Sequence, residues 1–380
     1  MDLIPYKEEH TIFRDSFRKF LKQEIVPHIE AWEEAGIVPR HVWTRMGRAG
    51  FLCTAIPEQY GGVGADFLHA VIIIEELANC NFSGLGIRLH SDVVTPYLLD
   101  YATEEQKRKY LPRCVSGELI TAIGMSEPNT GSDLAAIRTT AVQQGDEFVI
   151  NGQKTFISNG VNCDLIVLAA RDPAEPDPHR AIDLYLVETE TPGFDKGRRL
   201  KKVGWHAQDT AELFFSDCRV PRVNRLGEKG TGFKKMMSHL QPERLVIAIW
   251  AVAAAEFMLK ETIAYVKNRV VFGKPVARYQ NTQFEIAEMA TEIKLGRTHV
   301  EKLIVDHMRG ENIVTDVSMA KYWTTEMAFR VADRCMQLFG GYGYCEEYPI
   351  ARAWRDIRVN RILGGTNEIM KVVIAKNLGL

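Results

Sequence analysis

Glu243 is the residue with the clearest potential for acid–base chemistry, and it lies in the segment Gln241–Arg244 (QPER). The apolar side chains of Leu245 and Ile247 follow it, so the carboxylate could border a dry cavity, where lost solvation raises the pKa of a glutamate towards that of a useful base. The structural alternative is a helix start, because Pro242 suits the first turn and the helix dipole stabilises a carboxylate there. Taken alone, the segment favours this structural interpretation.

Three further segments combine glycine with polar groups. Met125–Asp133 (MSEPNTGSD) offers hydroxyls and backbone donors to a polar ring edge or a phosphate; alternatively, it is a turn in which Asp133 caps the next stretch of chain. Leu338–Tyr344 (LFGGYGY) permits close backbone approach to a helix or a ligand. Arg361–Ile369 (RILGGTNEI) combines a flexible dipeptide with Thr366, a candidate helix cap.

Other chemistries lack the residues that they need. The sequence has no Gly-x-Gly-x-x-Gly, no P-loop, no His-Glu-x-x-His and no Gly-x-Ser-x-Gly, which argues against Rossmann and P-loop proteins, zinc proteases and serine hydrolases. The histidines are dispersed, and for His90 or His206 packing or surface exposure is the better interpretation. The seven cysteines never form Cys-x-x-Cys, so neither a disulfide framework nor a metal site is expected.

The composition is that of an ordinary globular protein. The chain has 380 residues, of which 46% are hydrophobic and 25% charged, and its formal net charge is −2. These values exclude a disordered chain and argue against binding of nucleic acid by bulk charge. The N-terminal residues resemble neither a signal nor a transit peptide, and Glu256 interrupts the longest apolar stretch before it could span a membrane. We therefore expect a cytoplasmic protein without stable membrane insertion.

Periodicity divides the chain into three segments, which positions the candidate residues in an α+β multidomain protein. Residues 1–118 show helical spacing of apolar residues and predict an N-terminal helical domain. Residues 119–229 show short strand-like runs and predict a small β-barrel or sandwich. Residues 230–380 return to long helical patterns, which predict a C-terminal four-helix bundle.

Two local predictions concern the strands and the long helices. Asn151-Gly152 within EFVINGQKTFIS predicts a hairpin turn, and the absence of crossover helices makes a doubly wound sheet improbable. The long C-terminal helices are predicted at 245–266, 282–309 and 316–338, with a last helix at the end of the chain.

Taken together, the segments resemble the acyl-CoA dehydrogenase family over essentially the whole chain. The resemblance rests on SEPNTGSD, on KTFISNG at 154–160, on RVVFGKPVARYQ at 269–280, and on QLFGGYGY and EEYPIARAWRD. LHSD at 89–92 and GGTNEIMK at 364–371 are most similar to the long-chain branch of the family.

The resemblance implies FAD-dependent α,β-dehydrogenation of an acyl-CoA thioester to the trans-2-enoyl-CoA. A carboxylate removes the α-proton, and the β-hydrogen leaves as hydride to flavin N5. In many members the base precedes the Gly-Thr of the last motif, where this chain has Gly364. A minority, including long-chain and isovaleryl-CoA dehydrogenases, has its base at the position of Glu243, so the resemblance makes Glu243 the expected catalytic base.

The same resemblance assigns binding roles. Phe156 corresponds to an aromatic residue that covers one flavin face. The resemblance implies that Arg269, Phe272, Gln280 and residues 337–341 hold FAD partly across a subunit boundary, and that residues 366–368 complete the site near the nucleotide. The implied FAD-binding residues are Ile123, Met125, Ser126, Ser132, Phe156, Ser158, Arg269, Phe272, Gln280, Gln337, Gly340, Gly341, Thr366 and Glu368. The implied substrate-binding residues are Ser132, Gln241, Arg244, Gly365 and Arg88.

The identity of the acyl group stays open. Arg88 falls near the expected end of the acyl chain, where a cation suits a plain hydrocarbon poorly. It meets an ω-carboxylate, as in a glutaryl-type substrate, or it points into solvent or a salt bridge. A branched acyl group and a non-catalytic, FAD- or acyl-binding role are further alternatives. The resemblance also implies an electron-transfer flavoprotein as electron acceptor and a homo-oligomer, usually a tetramer. Nitroalkane oxidation, another flavin reaction of this fold, is disfavoured because it normally needs an aspartate where this chain has Glu243.

Overall fold

Helices form the first third of the chain in the computed structural model, which describes residues 3–380. The α-helices of this part are α1 (Glu8–Phe20), α2 (Ile29–Ala35), α3 (Arg40–Arg48), α4 (Phe67–Asn79), α5 (Thr95–Tyr101) and α6 (Glu104–Ser116). A π-helical turn, Leu89–Val94, leads into α5. Ten of the thirteen residues of α4 are buried, because this helix packs between its neighbours and the C-terminal helices.

Strands come next, as predicted, and form one seven-stranded sheet. They are β1 (Thr121–Gly124), β2 (Thr140–Gln144), β3 (Glu147–Ile157), β4 (Leu165–Arg171), β5 (Ile182–Glu188), β6 (Phe194–Arg199) and β7 (Ala211–Pro221). The order along the sheet is β1-β4-β2-β3-β7-β6, with β5 also paired to β4. The sheet forms a half-barrel rather than a closed barrel.

Burial on both faces explains the apolar composition of β4. Its residues alternate between two cores: Leu165 and Val167 join the core shared with the helices, whereas Ile166 and Leu168 join a second core within the sheet. Strands with two covered faces are apolar without alternation. The sheet is thereby fixed directly against both helical parts.

The predicted hairpin at Asn151-Gly152 is wrong. Strand β3 runs through this dipeptide, and the turn lies earlier, between β2 and β3, where Gly145 has a φ of 63°. Gly152 has a φ of 150° and marks a register irregularity in the pairing of β3 with β7. An isolated glycine within a strand often marks such a bulge, so the dipeptide bends a strand here instead of reversing it.

Long helices complete the chain, as predicted. They are α7 (Gly232–Asn268), α8 (Gln280–Met308), α9 (Val314–Phe339), α10 (Pro349–Ile357) and α11 (Asn367–Asn377), with the short strands β8 (Val270–Val271) and β9 (Lys274–Pro275) between α7 and α8. Thr366 caps α11 by accepting a hydrogen bond from the Ile369 amide at 3.4 Å. No helix within residues 3–380 is both long enough and apolar enough to cross a membrane.

Candidate active site

Glu243 lies inside a helix, not at its beginning. Helix α7 starts at Gly232 and continues through Pro242, so the prediction of a helix start at Pro242 is wrong. The proline removes one backbone donor from the helix interior, a cost that tertiary packing must offset. The dipole argument for a structural carboxylate therefore does not apply, because that effect is confined to the first turn.

Burial dominates the electrostatics of Glu243. It raises the pKa of the Glu243 carboxyl group from 4.5 to about 8, and this rise is opposed by the hydrogen bond from Tyr97 and by the charge of Arg244. The Tyr97 hydroxyl donates to Glu243 Oε1 at 3.2 Å. A carboxylate with such a pKa is well matched to accepting a proton near neutral pH.

A cavity of about 490 Å³ lies in front of Glu243. Its wall is formed by all three parts of the chain: the N-terminal helices, the sheet and the C-terminal helices. The predicted site residues that line it are Arg88, Ile123, Met125, Ser126, Ser132, Phe156, Ser158, Glu243, Arg244 and Gly365. The structure thus brings together ten residues that lie far apart in the sequence.

Several nitrogen donors on this cavity wall lack a partner among the described residues. They are Nε of Arg244, Nδ2 of Asn360 and Nε1 of Trp205. A buried donor without an acceptor costs roughly 1–3 kcal/mol, so these three donors need an acceptor from outside the chain, either a water or a ligand. Asn360 and Trp205 were not predicted, and neither belongs to a motif that would have drawn attention to it.

The Met125–Asp133 segment forms one rim of the cavity and is held from beneath. The buried Lys154 ammonium group donates to Glu127 Oε1 at 2.8 Å and to the Met125 carbonyl at 3.1 Å. Glu127 also accepts the Thr139 amide at 2.9 Å. The lysine of KTFISNG therefore fixes the backbone of the other motif. Asp133 lines the cavity without making the expected capping hydrogen bond.

Phe156 stands out at this rim because it is an aromatic side chain with 70% of its surface exposed. Its φ of 60° is uncommon for any residue other than glycine. Such a conformation persists only where the surroundings enforce it, and here it presents the ring at the cavity wall. Ser126 and Ser158 line the same part of the cavity.

Gly364 and Gly365 also line the cavity, with φ values of 65° and 90°. A Cβ on Gly364 would contact Cδ1 of Ile247, so that side chain would have to move, and the φ of 65° would be strained for any residue other than glycine. The buried Lys321 donates to the Gly365 carbonyl at 2.7 Å and holds the turn. Burial lowers the pKa of Lys321 to about 7.

Arg88 lies on the cavity wall and not in solvent. Its guanidinium carbon is 3.9 Å from the ring centre of Trp250 and 5.8 Å from that of Trp205. Burial lowers its pKa to about 10, against the attraction of Asp92. Within residues 3–380, the Arg88 side chain makes neither a hydrogen bond nor a salt bridge, which leaves its five donors available to a ligand.

The remaining predicted binding residues lie outside this cavity. Arg269, Gln337, Gly340 and Gly341 line a second, open pocket beside the β8–β9 hairpin. The other five are Phe272, Gln280, Gln241, Thr366 and Glu368. Phe272, at the tip of that hairpin, is 97% exposed. Gln241 does not line the cavity, and its side-chain amide donates to the Glu311 carbonyl at 3.4 Å.

Family comparisons match the three structural parts in order. Models described as the N-terminal, middle and C-terminal domains of acyl-CoA dehydrogenase match residues 7–118, 122–218 and 230–379. Fold and matches together define an oxidoreductase with a helix–sheet–helix architecture. The chain belongs to the acyl-CoA dehydrogenase family.

Individual proteins that match the chain have names of the same family. The chain is 46% identical over 374 residues to the mitochondrial long-chain specific acyl-CoA dehydrogenase of Mus musculus, covering 98% of this chain and 87% of the relative. A crystal structure of acyl-CoA dehydrogenase from Geobacillus kaustophilus is 59% identical, covers 99% of both chains and has a TM-score of 0.98. A glutaryl-CoA dehydrogenase from Mycobacterium smegmatis, solved in complex with FADH2, is 28% identical, with a TM-score of 0.91 and coverage of 98% and 95%.

Proposed function

We propose that this protein dehydrogenates an acyl-CoA thioester between Cα and Cβ, with Glu243 as the catalytic base. The observation that carries the proposal is the position of Glu243: a carboxyl group with a pKa raised to about 8, facing a cavity whose wall also presents unpaired donors. The family's reaction needs a base in this role, and the Gly364 position cannot supply one.

FAD suits the residues on the Phe156 side of the cavity. The exposed Phe156 ring offers a flat apolar surface to an aromatic ring system, and Ser126, Ser132 and Ser158 supply polar groups beside it. Bound FAD would supply the acceptor for the β-hydrogen as hydride. We assign Arg269, Phe272, Gln280 and the 337–341 segment to FAD bound by a neighbouring subunit, since they lie outside the cavity of their own chain.

Glu243 takes the α-proton, so the Cα–H bond breaks, an O–H bond forms on the carboxyl group and the electron pair stays on the substrate. Arg244 and Gly365 border the same region, so the Arg244 guanidinium is placed to donate to an oxygen of the CoA thioester arm. The dry wall around Glu243 keeps its carboxylate weakly solvated and therefore basic.

Glutamine at position 243 tests this assignment. Glu243→Gln keeps the shape and removes the base, so turnover should fall by about 10²- to 10⁴-fold while the protein stays yellow. Exchange of the substrate α-proton with deuterated water should be lost in parallel. Glu261→Gln, on the same helix but outside the cavity, is the matched control. Near-normal turnover of the Glu243→Gln variant would contradict the assignment.

A second candidate concerns the substrate, and Arg88 favours it. A cation without a partner on the wall of an acyl cavity is compensated best by an anion, so an ω-carboxylate of a dicarboxylic acyl-CoA would suit it. The alternative is that the two indoles, Trp205 and Trp250, stabilise the guanidinium on their own while an apolar straight or branched chain passes beside it.

A substrate panel separates these alternatives. If Arg88 binds an anion, glutaryl-CoA or a longer dicarboxylic acyl-CoA is turned over faster than its methyl-terminated isostere. Arg88→Met should then reverse the preference without changing the flavin spectrum. A wild-type preference for palmitoyl-CoA or isovaleryl-CoA, with no dicarboxylic turnover at any length, would refute the anion site while leaving the dehydrogenase assignment intact.

The partners and the assembly belong to the same proposal. We expect electrons to pass from the reduced flavin to an electron-transfer flavoprotein, and we expect a homotetramer. The exposed Phe272 and the open pocket beside it support assembly, because both are apolar surfaces that a second copy of the chain would cover. Analytical ultracentrifugation measures the assembly directly, and a flavin-loaded monomer would refute it.

A further inference from the structure

Tyr97 is the residue that hydrogen-bonds Glu243 among the described residues, and it lies outside every motif of the resemblance. Its hydroxyl donates to Glu243 Oε1 at 3.2 Å. Because a carboxylate has two oxygens, a bond to one oxygen leaves Oε2 to accept a proton. Tyr97 therefore touches the proposed base without blocking it.

The surroundings of Tyr97 fix the direction of its hydroxyl. The side chain is fully buried on α5, and its ring stacks on His239 with ring centres 4.1 Å apart. Tyr101 packs its edge against His239. His239 Nε2 in turn lies 3.2 Å from Asp100 Oδ2. A fully buried ring that stacks on another ring has little rotational freedom, so the donor arrives at Glu243 from one direction.

We propose that Tyr97 is a positioning residue for the reaction: it orients the Glu243 carboxylate towards the substrate α-carbon and stabilises its charged form. This inference rests on the proposed role of Glu243. Burial raises the pKa of Tyr97 well above 10, so its hydroxyl remains a donor while Glu243 titrates. A donor to the ionised form opposes the rise that burial causes and keeps the base functional nearer neutral pH.

Charged and titratable groups on the neighbouring helices also surround Tyr97 and Glu243. Arg244 on α7 favours the ionised form of Glu243, and Lys321 on α9 lies beyond it, beside Arg244. On the N-terminal side, Asp100 and His239 lie behind Tyr97, and Arg88 shares the cavity wall. None of these groups hydrogen-bonds Glu243 in the described chain, so removing the Tyr97 hydroxyl isolates one contact.

The test removes the Tyr97 hydroxyl group alone. Tyr97→Phe keeps the ring and its stacking on His239, and the flavin-loaded variant is compared with wild type in the pH dependence of kcat/KM. Hydrogen bonds to charged groups are strong enough that we expect the rising limb of the profile to move up by about one to two pH units. The variant's kcat/KM should therefore fall most at low pH and recover partly at high pH.

Tyr101→Phe is the matched control, because Tyr101 contacts His239 but does not bond Glu243. It should leave the limb in place. An unmoved limb in Tyr97→Phe, or an equal movement in both variants, would overturn the proposal. If Glu243→Gln is inactive and Tyr97→Phe is unchanged, the inference about Tyr97 fails and the dehydrogenase assignment stands; if Glu243→Gln remains active, the base assignment itself fails.

A measurement on the unmutated protein covers the case in which Tyr97→Phe does not fold. Infrared difference spectra between low and high pH, recorded with ring-deuterated tyrosine, should show a tyrosine band that shifts together with the Glu243 carboxyl band. Both signals should be missing in Glu243→Gln. A carboxyl band that titrates with no tyrosine signal would overturn the proposal.

Discussion

Replacing Glu243 by glutamine should stabilise the folded protein at alkaline pH although it strongly lowers turnover. In the folded chain the pKa of this carboxyl group is raised from 4.5 to about 8. The folded state therefore retains a proton that the unfolded state has lost between these two pH values. As far as this group is concerned, the free energy of unfolding is highest below the lower pKa and falls as the pH rises towards the upper pKa.

The magnitude comes from the two pKa values. Each pKa unit corresponds to about 1.4 kcal/mol, so ionisation of the buried carboxyl group costs the folded state up to about 5 kcal/mol above the upper pKa. Glutamine has a similar shape, and its carbonyl oxygen can accept the Tyr97 hydrogen bond. The variant should therefore avoid this cost without losing its packing.

Thermal unfolding of the flavin-loaded protein, followed by circular dichroism, measures the effect. The melting temperature of Glu243→Gln should match that of wild type at about pH 5 and exceed it clearly at about pH 9. Glu261→Gln serves again as the control and should show no such pH-dependent gain. Equal melting temperatures of Glu243→Gln and wild type at both pH values would refute the reasoning, because they would mean that the carboxyl group is not desolvated.

Three further changes probe the walls of the site. Lys154→Met leaves the Glu127 carboxylate buried without its partner, so we expect a loss of about 3–5 kcal/mol in the free energy of unfolding and weaker flavin retention, measured by denaturation and absorbance. Gly364→Ala forces a Cβ into a left-handed backbone and against Ile247; stability should fall by at least about 1–2 kcal/mol and turnover should drop, whereas an unchanged melting curve would contradict the geometry. Lys321→Met removes the hydrogen bond that holds the Gly365 turn, so KM for the acyl-CoA should rise by a larger factor than kcat falls. Steady-state kinetics measures both parameters, and a fall in kcat larger than the rise in KM would contradict this role.

The sequence predicts the order of the three parts, and ten of the predicted site residues line the cavity, for a physical reason. Motifs such as SEPNTGSD and KTFISNG have fixed local geometry, and the Lys154–Glu127 pair that joins them lies within the motifs themselves. The prediction of a turn at Asn151-Gly152 failed because the local preference for a hairpin was overridden by pairing of β3 with β7. Local turn propensity cannot anticipate a partner strand that lies far along the chain.

The contacts around Glu243 were beyond reach of the sequence for a related reason. Tyr97, Trp205 and Trp250 come from three different parts of the chain. Tyr97 and Trp250 are ordinary core residues in their own helices, and Trp205 is half-buried in the loop between β6 and β7. Only tertiary packing brings the Tyr97 hydroxyl to the Glu243 carboxylate and brings the two indole rings into cation–π contact with Arg88. These residues act through contacts between distant parts of the chain, and such contacts cannot be read from the spacing of residues along one helix.

The most direct test of the proposed function is a single anaerobic mixing experiment. Purified flavin-loaded protein is mixed with excess acyl-CoA from the panel, and the absorbance of the oxidised flavin is followed against time. We predict rapid bleaching with the correct thioester in wild type, and none on the same time scale in Glu243→Gln. A flavin that stays oxidised with every thioester, or bleaches equally fast without the Glu243 carboxylate, would contradict the proposed reaction or its base.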